Sequence, residues 1–326
     1  MQGITQRKVL CYIARKQAYD LGANGGRLFS FAHLTDPHLP LQTQETRLRA
    51  AGPGKRVSGI LSWRMKRRHI HLPEILAATV ADIRAHTPDH IVLTGDLVNV
   101  SLPAEIARAT HWLQRLGAPD RISLIPGNHD AYRADTLDAM QSQWRAYMQG
   151  DAPDSGSLFP YCRIRNGIAL IGISSAVPTR IFSATGTLGS VQLSALDELL
   201  AQQEKAGRMR IVMLHHPPGA AGASRHKGLT DRAALLEVLA RRGAELVLHG
   251  HTHRAVLDRV AGSRGPIPVL APASASALNP HGENASWHFV EISRTPTRAW
   301  RAQITVRGYR PATQQFCTLA QFGLLL

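Results

Sequence analysis

The chain has 326 residues, of which 44% are apolar and 19% charged, values that are typical of a folded globular protein and argue against disorder. Thirty-eight Lys and Arg outnumber 23 Asp and Glu, and the formal net charge of +15 favours anionic partners. No run of about 18 apolar residues occurs, so no membrane-spanning helix is predicted. The three cysteines lie far apart without a CxxC pair, which argues against a thiolate metal site and a disulfide framework and favours a reducing compartment.

The apolar pattern changes at residue 28, and we expect residues 1–27 to form an N-terminal extension. From there, short apolar strands alternate with helical segments, which predicts βαβ units and a largely parallel sheet in one domain, residues 28–310. In chain order, the predicted elements are a strand at 29–35, a helix at 74–86, a strand at 90–94, a helix at 104–116, a strand at 121–125, a helix at 135–148, a hairpin at 161–173, a helix at 190–205, a strand at 210–214, a helix at 230–242 and a strand at 245–248. The hairpin turns at Asn166-Gly167. Residues 255–306 are rich in strand residues, and we expect 311–326 to be a C-terminal tail.

Polar clusters follow five of the predicted strands. They are Asp36-x-His38, Gly95-Asp96, Gly127-Asn128-His129-Asp130, His215-His216-Pro217 and Gly250-His251-Thr252-His253. Open α/β sheets bind ligands outside the carboxyl ends of their strands, so these clusters are expected to meet at one edge. Each cluster alone is a weak signal, but burying so many His and Asp side chains without a metal would be costly.

The side chains in these clusters are imidazoles, carboxylates and an amide, with no thiolate. This set suits Mn, Fe, Zn or Co rather than a soft metal. Two such ions close together can stabilise both the attacking and the leaving oxygen of an in-line displacement. The sequence therefore predicts a two-metal hydrolytic site.

The motif order DxH, GD, GNHD, HHPP and GHTH resembles the calcineurin-like metallophosphoesterase superfamily over residues 29–253. Within it, the GNHD, HHPP and GHTH forms are similar to bacterial class III cyclic-nucleotide phosphodiesterases and glycerophosphodiesterases. The resemblance implies an α/β four-layer sandwich of two facing mixed β-sheets flanked by helices, with a bimetallic site at the carboxyl edge of the strands. It also implies a binuclear hydrolase of phosphodiesters or phosphomonoesters, with diesters favoured.

The resemblance implies seven ligands for two divalent ions. Asp36, His38 and His253 would bind the first ion, Asn128, His215 and His251 the second, and Asp96 both. We expect Mn²⁺, with Fe, Zn or Co as alternatives. A hydroxide that bridges the ions would be the nucleophile, because metal binding lowers the pKa of water to about 7.

Three more residues receive roles from the resemblance. His129 would act as general acid, or as hydrogen-bond donor, at the leaving oxygen. Asp130 would orient His129, and His216 would support the ligands from behind.

A basic insert follows the first motif, at residues 45–72. Between Arg47 and His71 there are eight Lys or Arg, two His and no acidic residue. We expect Arg64, Lys66, Arg67 and Arg68 to contact an anionic substrate or membrane; a solvated surface loop is the alternative.

Four functions follow from these features. The leading hypothesis is a bacterial, cytoplasmic enzyme that hydrolyses a small phosphate ester. The second is a lipid-phosphate or pyrophosphate hydrolase peripheral to the inner membrane, similar to UDP-diacylglucosamine hydrolases, which the basic insert and apolar residues 322–326 favour. A nuclease is the third, although no nucleic-acid-binding motif is present and nucleic acid is not the expected partner. The presence of His129 disfavours the fourth, a metal-binding scaffold without catalysis. No feature of the sequence indicates an oligomeric state.

Overall fold

The computed structural model describes residues 27–43, 45, 54–152, 157–220 and 226–326. Nearly all of the expected N-terminal extension and the first part of the basic insert lie outside these residues.

Twelve strands in the described residues form two six-stranded sheets. They are β1 (Phe29–Leu34), β2 (His90–Leu93), β3 (Ile122–Leu124), β4 (Tyr161–Arg165), β5 (Ile168–Gly172), β6 (Met209–Met213), β7 (Leu246–Leu248), β8 (Val256–Val260), β9 (Ile267–Ala271), β10 (Ser286–Arg294), β11 (Trp300–Arg310) and β12 (Gln315–Leu325). The strand orders are β12-β11-β10-β1-β2-β3 and β4-β5-β6-β7-β9-β8. In the first sheet β1, β2 and β3 are parallel, and in the second β5, β6, β7 and β9 are parallel. The remaining pairings are antiparallel, so both sheets are mixed, as expected.

Six α-helices are present in the described residues. They are α1 (Lys55–Met65), α2 (Pro73–Ala85), α3 (Pro103–Leu116), α4 (Leu137–Trp144), α5 (Ser190–Lys205) and α6 (Arg232–Arg242). Helix α2 packs against β10 and β12, whereas α5 packs against β6 and α6. The parallel strands are apolar along their length because they are covered on both faces; every residue of β1, β5 and β6 is buried. These helices are too short or too polar to traverse a bilayer.

One apolar core joins the sheets, and polar side chains tie their edges together. Tyr161 on β4 donates its hydroxyl to the carbonyl of Leu124 on β3, at 2.9 Å. The buried guanidinium of Arg163 donates to four backbone carbonyls, among them Gln149 (2.8 Å) and Ile122 (2.5 Å). The sheets are therefore fixed to each other close to the ends of β2 and β3.

Most element predictions are confirmed within two residues, including the hairpin, whose Asn166 and Gly167 have φ of 48° and 79°. The expected helix at 135–148 is interrupted: an α-helix, α4, lies between two 3₁₀ turns. The prediction of a C-terminal tail is wrong, because β12 occupies most of residues 311–326 and pairs with β11 along its length.

The described part of the basic insert is also more ordered than a surface loop. Helix α1 is followed by a 3₁₀ turn at Arg67–His69, and Ile60 and Trp63 pack in a small second core with Tyr132. Arg56 is buried, donates to the carbonyls of Val100 and Ser101, and forms a two-point ion pair with Asp135 at 2.8 and 2.9 Å.

Candidate metal centre

The five motif loops follow β1, β2, β3, β6 and β7 and are fastened to each other through the backbone. The N–H of Asp36 donates to the carbonyl of Gly95 at 3.0 Å, and that of His38 donates to Asp96 at 3.0 Å. The N–H of Gly250 donates to the carbonyl of His215 at 3.1 Å, which joins the two loops of the second sheet. The loops therefore form one braced platform at the edge of both sheets.

Five predicted ligands have a left-handed backbone, an uncommon conformation for residues other than glycine. The φ angles are 51° at Asp36, 41° at His38, 59° at Asp96, 70° at His251 and 53° at His253. Such conformations cost about 1–3 kcal/mol each and persist where the surrounding structure enforces them. Here the hydrogen bonds between loops hold the strained residues so that their side chains converge.

Two motif glycines are required by the close approach of these loops. Gly95 has φ of 93°, and a Cβ there would lie 2.6 Å from the backbone N of Gly127 and 2.8 Å from Nδ1 of His215. A Cβ at Gly127 would collide with the carboxylate and the backbone of Asp96. The glycines thus allow the first sheet to place Asp96 directly beside His215.

The first cluster consists of Asp36, His38, His253 and Asp96. His38 donates Nδ1–H to the carbonyl of Val98 at 3.1 Å, which leaves a lone pair on Nε2. This atom lies 3.2 Å from Nε2 of His253 and 3.8 Å from Oδ2 of Asp96. Oδ1 of Asp36 lies 3.2 Å from Nε2 of His253.

The second cluster consists of Asp96, His215 and His251, with Asn128 beside them. His215 donates Nδ1–H to the carbonyl of Thr94 at 2.7 Å, so Nε2 is the nitrogen that it directs at the cluster. That Nε2 lies 3.4 Å from Oδ2 of Asp96 and 3.2 Å from Oδ1 of Asn128. Nδ1 of His251 lies 2.8 Å from the same Asn128 oxygen.

Each carboxylate has one oxygen held by the protein and one directed into the clusters. Oδ2 of Asp36 accepts hydrogen bonds from the Thr35 hydroxyl at 2.7 Å and from the His251 N–H at 3.0 Å, whereas its Oδ1 has no hydrogen-bond partner. Oδ1 of Asp96 accepts from the His129 N–H at 2.7 Å, and its Oδ2 lies between the two clusters. Carboxylate oxygens and ring nitrogens that converge in a buried site need positive charge between them, and this donor set fits two cations that share Asp96.

The pKa values of His215 and His251, in the second cluster, are shifted in opposite directions. Burial opposes protonation of His215, but the Asp96 carboxylate outweighs it and raises the pKa of His215 to about 9. Burial, with the neighbouring His215, lowers the pKa of His251 to about 3.

His129 lies at the edge of the clusters, with its ring stacked on Tyr132 at 5.5 Å and edge-on to His38 at 5.1 Å. Its Nδ1–H donates to the carbonyl of Asn99 at 2.5 Å. The Nη1 of Arg67 lies 3.1 Å from Nδ1 and 3.3 Å from Nε2 of His129. A guanidinium can only donate and Nδ1 carries a proton, so Nε2 is the ring nitrogen that can accept from Arg67. Burial and the adjacent Arg67 lower the pKa of His129 to about 4.

The expectation that Asp130 orients His129 is wrong. The carboxylate of Asp130 is buried and accepts hydrogen bonds from four backbone N–H groups, at 2.8–3.1 Å, in the Gly95-Asp96 loop and at Gly127. The group that accepts the Nδ1–H of His129, and so orients its ring, is the carbonyl of Asn99. Asp130 thus shapes the loops that carry Asp96 and Asn128.

His216 lies behind the second cluster, with its ring 4.5 Å from that of His251. Both of its ring nitrogens have partners: Ser175 Oγ lies 2.7 Å from Nδ1, and the Ala184 carbonyl lies 3.1 Å from Nε2. His216 is therefore placed to support His251, with no nitrogen directed at the cluster.

The four cations of the basic insert separate in the structure. Arg67 points inward, donates to the Gly59 carbonyl at 3.1 Å and has a buried Nε without a hydrogen-bond partner. Lys66 and Arg68 are exposed, and Arg64 is half-buried. Only Arg67, of these four, contacts a predicted site residue in the contacts that the structure describes, namely His129.

The motifs do not identify two further side chains at the site. His71, 4% exposed, lies with its ring 4.5 Å from that of His38 and 5.2 Å from that of His253. The half-buried Lys55 lies 4.3 Å over the Tyr132 ring and donates to Thr179 at 2.6 Å, and burial lowers its pKa to about 8. Both belong to the basic insert, where so many residues are charged that no single position stands out as a site residue. The one sequence feature that could have indicated His71 is its His-x-His spacing with His69.

Comparisons with known proteins agree with this geometry. Residues 29–255 match the sequence profile of the family described as calcineurin-like phosphoesterase. A "probable cyclic nucleotide phosphodiesterase" of Synechococcus sp. is 32% identical over 232 residues, which cover 70% of this chain and 80% of that protein.

Two solved structures share the fold at low sequence identity. One is a dimetal phosphatase from Danio rerio, with a TM-score of 0.60 and 14% identity, covering 90% of this chain and 99% of that one. The other is the purple acid phosphatase PPD1 of yellow lupin, with a TM-score of 0.51 and 9% identity, covering 95% of this chain and 55% of that one. With five motifs in order, two mixed sheets and paired ligand clusters at their edge, the chain belongs to the calcineurin-like phosphoesterase family.

Proposed function

We propose that the chain is a phosphodiesterase that uses two divalent ions, with small phosphodiesters such as cyclic nucleotides as its substrate class. One observation carries the proposal: Oδ2 of Asp96 lies 3.8 Å from His38 Nε2 and 3.4 Å from His215 Nε2, so that one oxygen serves both ligand clusters. The name of the Synechococcus relative supports the choice of cyclic nucleotides.

The ions, when bound, would supply an activated hydroxide and neutralise charge on the phosphoryl oxygens. Mn²⁺ is the ion that we propose, with Fe, Zn or Co as alternatives at either position. Six further ligands would be divided around Asp96 as the sequence motifs suggest. Asp36, His38 and His253 would hold one ion, and Asn128, His215 and His251 the other.

Arg67 and His129 form the part of the site that would contact the ester. The Arg67 guanidinium is a fixed cation with an unpaired buried Nε, which suits one non-bridging oxygen of a phosphodiester. His129 Nδ1–H is committed to Asn99, so a proton for the leaving oxygen has to reside on Nε2. The negative charge of a bound phosphate favours that protonated ring, which makes His129 a substrate-dependent proton donor.

A hydrolysis screen of the purified protein with Mn²⁺ tests the proposal. It compares 3′,5′- and 2′,3′-cyclic nucleotides, bis-p-nitrophenyl phosphate, p-nitrophenyl phosphate and a lipid phosphate in vesicles. We expect kcat/KM to be at least about tenfold higher for the diesters than for the monoester, because a single guanidinium matches one charge better than two. A monoester preference, or turnover confined to vesicles, would contradict the diester assignment while leaving the metal centre intact.

A further inference from the structure

We infer that His71 is an additional ligand of the first metal ion, beside His38 and His253. The family motifs assign no role to this position, which lies at the end of the basic insert. The inference rests on the metal centre and is independent of which phosphate ester is hydrolysed.

The three imidazoles form a compact group. His71, His38 and His253 each offer a ring nitrogen, and these atoms lie within 4.8 Å of one another. The rings are close in space, with centroids 4.5 Å (His71 to His38), 5.1 Å (His38 to His253) and 5.2 Å (His71 to His253) apart. His38 and His253 also belong to the group that includes Asp36 and Asp96. His71 therefore lies beside the first cluster, on the side formed by these two imidazoles.

The hydrogen bonds of His71 determine which nitrogen is free. Its Nδ1 lies 3.0 Å from Ser276 Oγ and 3.2 Å from Ser274 Oγ. The Ser274 hydroxyl donates its proton to the carbonyl of Asp36 at 2.6 Å, so towards His71 it can act only as an acceptor. A proton on Nδ1 satisfies this acceptor, and Nε2 is then the nitrogen with the free lone pair.

This pattern is that of a metal-binding histidine, in which one nitrogen donates to a protein oxygen and the other faces the ion. His38 and His215 show the same arrangement, with the Val98 and Thr94 carbonyls as acceptors. For His71 the supporting group is Ser274, which also fixes the backbone of the ligand Asp36.

The backbone holds His71 rigidly in this position. His71 forms an antiparallel bridge with Ala277, and the N–H of Leu72 donates to the Ser276 carbonyl at 2.9 Å. The N–H of Leu278 donates to Ile70 at 2.7 Å. The residue is thus placed by β-type pairing on one side and by helix α2 on the other, which gives the precision that a ligand requires.

An extra imidazole would change the preference of the first position. A donor set with three nitrogens shifts selectivity from the oxygen-preferring ions towards Zn²⁺, Co²⁺ or Fe²⁺ relative to Mn²⁺. The two positions would then differ in metal preference, with the more nitrogen-rich position occupied first by Zn²⁺ or Co²⁺.

Metal titration of the full-length apo protein tests the assignment. Binding of Zn²⁺ is measured by calorimetry, and Co²⁺ loading is followed by its visible absorption bands, whose position and intensity report ligand type and number. We expect His71→Ala to weaken one of the two binding events at least tenfold, the lower range for loss of a group that supports a metal site, and to alter the bands of that ion. The other binding event should be unchanged.

Two further variants make the result decisive. His69→Ala, at an exposed histidine two residues away, is the matched control and should bind both ions as the parent does. His71→Gln retains a donor near Ser276 and guards against loss of folding; it should keep the urea midpoint of the apo protein and still lose affinity. Parental affinities and Co²⁺ bands in both His71 variants would overturn the inference and assign His71 to packing alone.

Discussion

At the scale of single residues, Asp96 carries the largest predicted effect. One of its oxygens accepts a hydrogen bond from the His129 N–H and the other faces both ligand clusters, so Asp96→Asn should reduce binding at both positions. We expect loss of measurable turnover and metal content well below two ions per chain, determined by elemental analysis after gel filtration. Two bound ions together with intact activity would disprove the shared ligand.

His129 can be tested through the chemistry of the leaving group. If its Nε2 supplies a proton, His129→Ala should slow alkyl esters by on the order of 10²-fold or more and p-nitrophenyl esters much less, because p-nitrophenolate leaves without protonation. Metal content should match that of the parent. An equal loss on both ester types would assign His129 to positioning, together with its contact to Arg67.

Asp130 supports a different prediction from the one that its sequence position suggested. Because it accepts four backbone N–H groups, Asp130→Asn places an amide donor against donors and leaves at least one of them unsatisfied. We expect a loss of about 1–3 kcal/mol in the free energy of unfolding of the apo protein, measured in urea. The dependence of the rate on the leaving group should be unchanged, and a variant that altered only that dependence would restore the orienting role.

Buried histidines away from the clusters make the apo protein sensitive to acid. Burial, with Arg163 nearby, lowers the pKa of His90 to about 3, whereas an unfolded histidine has a pKa of about 6.5. The unfolded state therefore binds more protons below pH 6.5, and stability is lost as the pH falls from there towards 3.

The expected contribution of His90 at pH 5 is about 2 kcal/mol. Urea unfolding at pH 7.5 and pH 5, in the presence of a chelator, should show that His90→Gln loses less stability on acidification than the parent by about this amount. The exposed His111→Gln is the control and should behave as the parent. Identical pH dependence for His90→Gln and the parent would contradict the burial argument.

At the scale of elements, the strand and helix pattern was predictable where burial and periodicity agree. Strands β1, β5 and β6 are buried throughout and mostly apolar because both faces are covered, and α5 lies at the predicted residues. Helix α1 was not predictable, because its buried face combines Arg56 with Ile60 and Trp63, so a charge occupies one turn of the apolar stripe. Tertiary partners explain that charge, namely Asp135 and the carbonyls of Val100 and Ser101.

Strand β12 shows a related limit of local patterns. As an edge strand it is covered on part of one face only, and exposed and half-buried residues alternate irregularly along it. Its pairing with β11 is a long-range contact, and a bulge near Val306 shifts the register partway along. The expected metal ligands could be proposed from the sequence because their motifs are short and local, whereas His71 reaches the site through pairing with Ala277, far along the chain.

The exposed and inward-pointing cations of the basic insert should differ in how their effects depend on salt. Lys66 and Arg68 are exposed, so their effect on an anionic substrate or membrane should be long-range and screened within about 8–10 Å at physiological salt. The double variant Lys66→Gln with Arg68→Gln should raise KM or weaken binding to anionic vesicles at low salt, and should match the parent at high salt. Arg67→Gln should lower kcat/KM by tenfold or more at every salt concentration, because its contact with His129 is short and partly buried.

Steady-state kinetics at two salt concentrations separate these effects. Equal salt dependence in the parent and the double variant would make the exposed cations inert. A purely salt-dependent effect of Arg67→Gln would remove it from the site.

At the scale of the whole molecule, the metal centre joins the two sheets. Asp36, Asp96 and Asn128 follow strands of the first sheet, and His215, His251 and His253 follow strands of the second. Each ion bound between them should stabilise the native state by about 2.7 kcal/mol when free metal is 100-fold above its Kd.

Thermal unfolding tests this coupling. Adding Mn²⁺ to the chelated protein should raise Tm in a concentration-dependent manner, and the shift should be much smaller in Asp96→Asn. A shift of equal size in that variant would place the stabilising ion elsewhere.

The left-handed ligand residues imply a conflict between selection for catalysis and selection for durability. A glycine at position 253 would relax a backbone with φ of 53° at little packing cost, because the His253 side chain is about one-third exposed. Laboratory evolution for heat resistance in the presence of chelator should therefore accumulate glycine or asparagine at such positions while hydrolysis disappears. Under selection with metal present, the same positions should resist change. Left-handed residues other than glycine should therefore be kept at these positions only while metal binding is under selection.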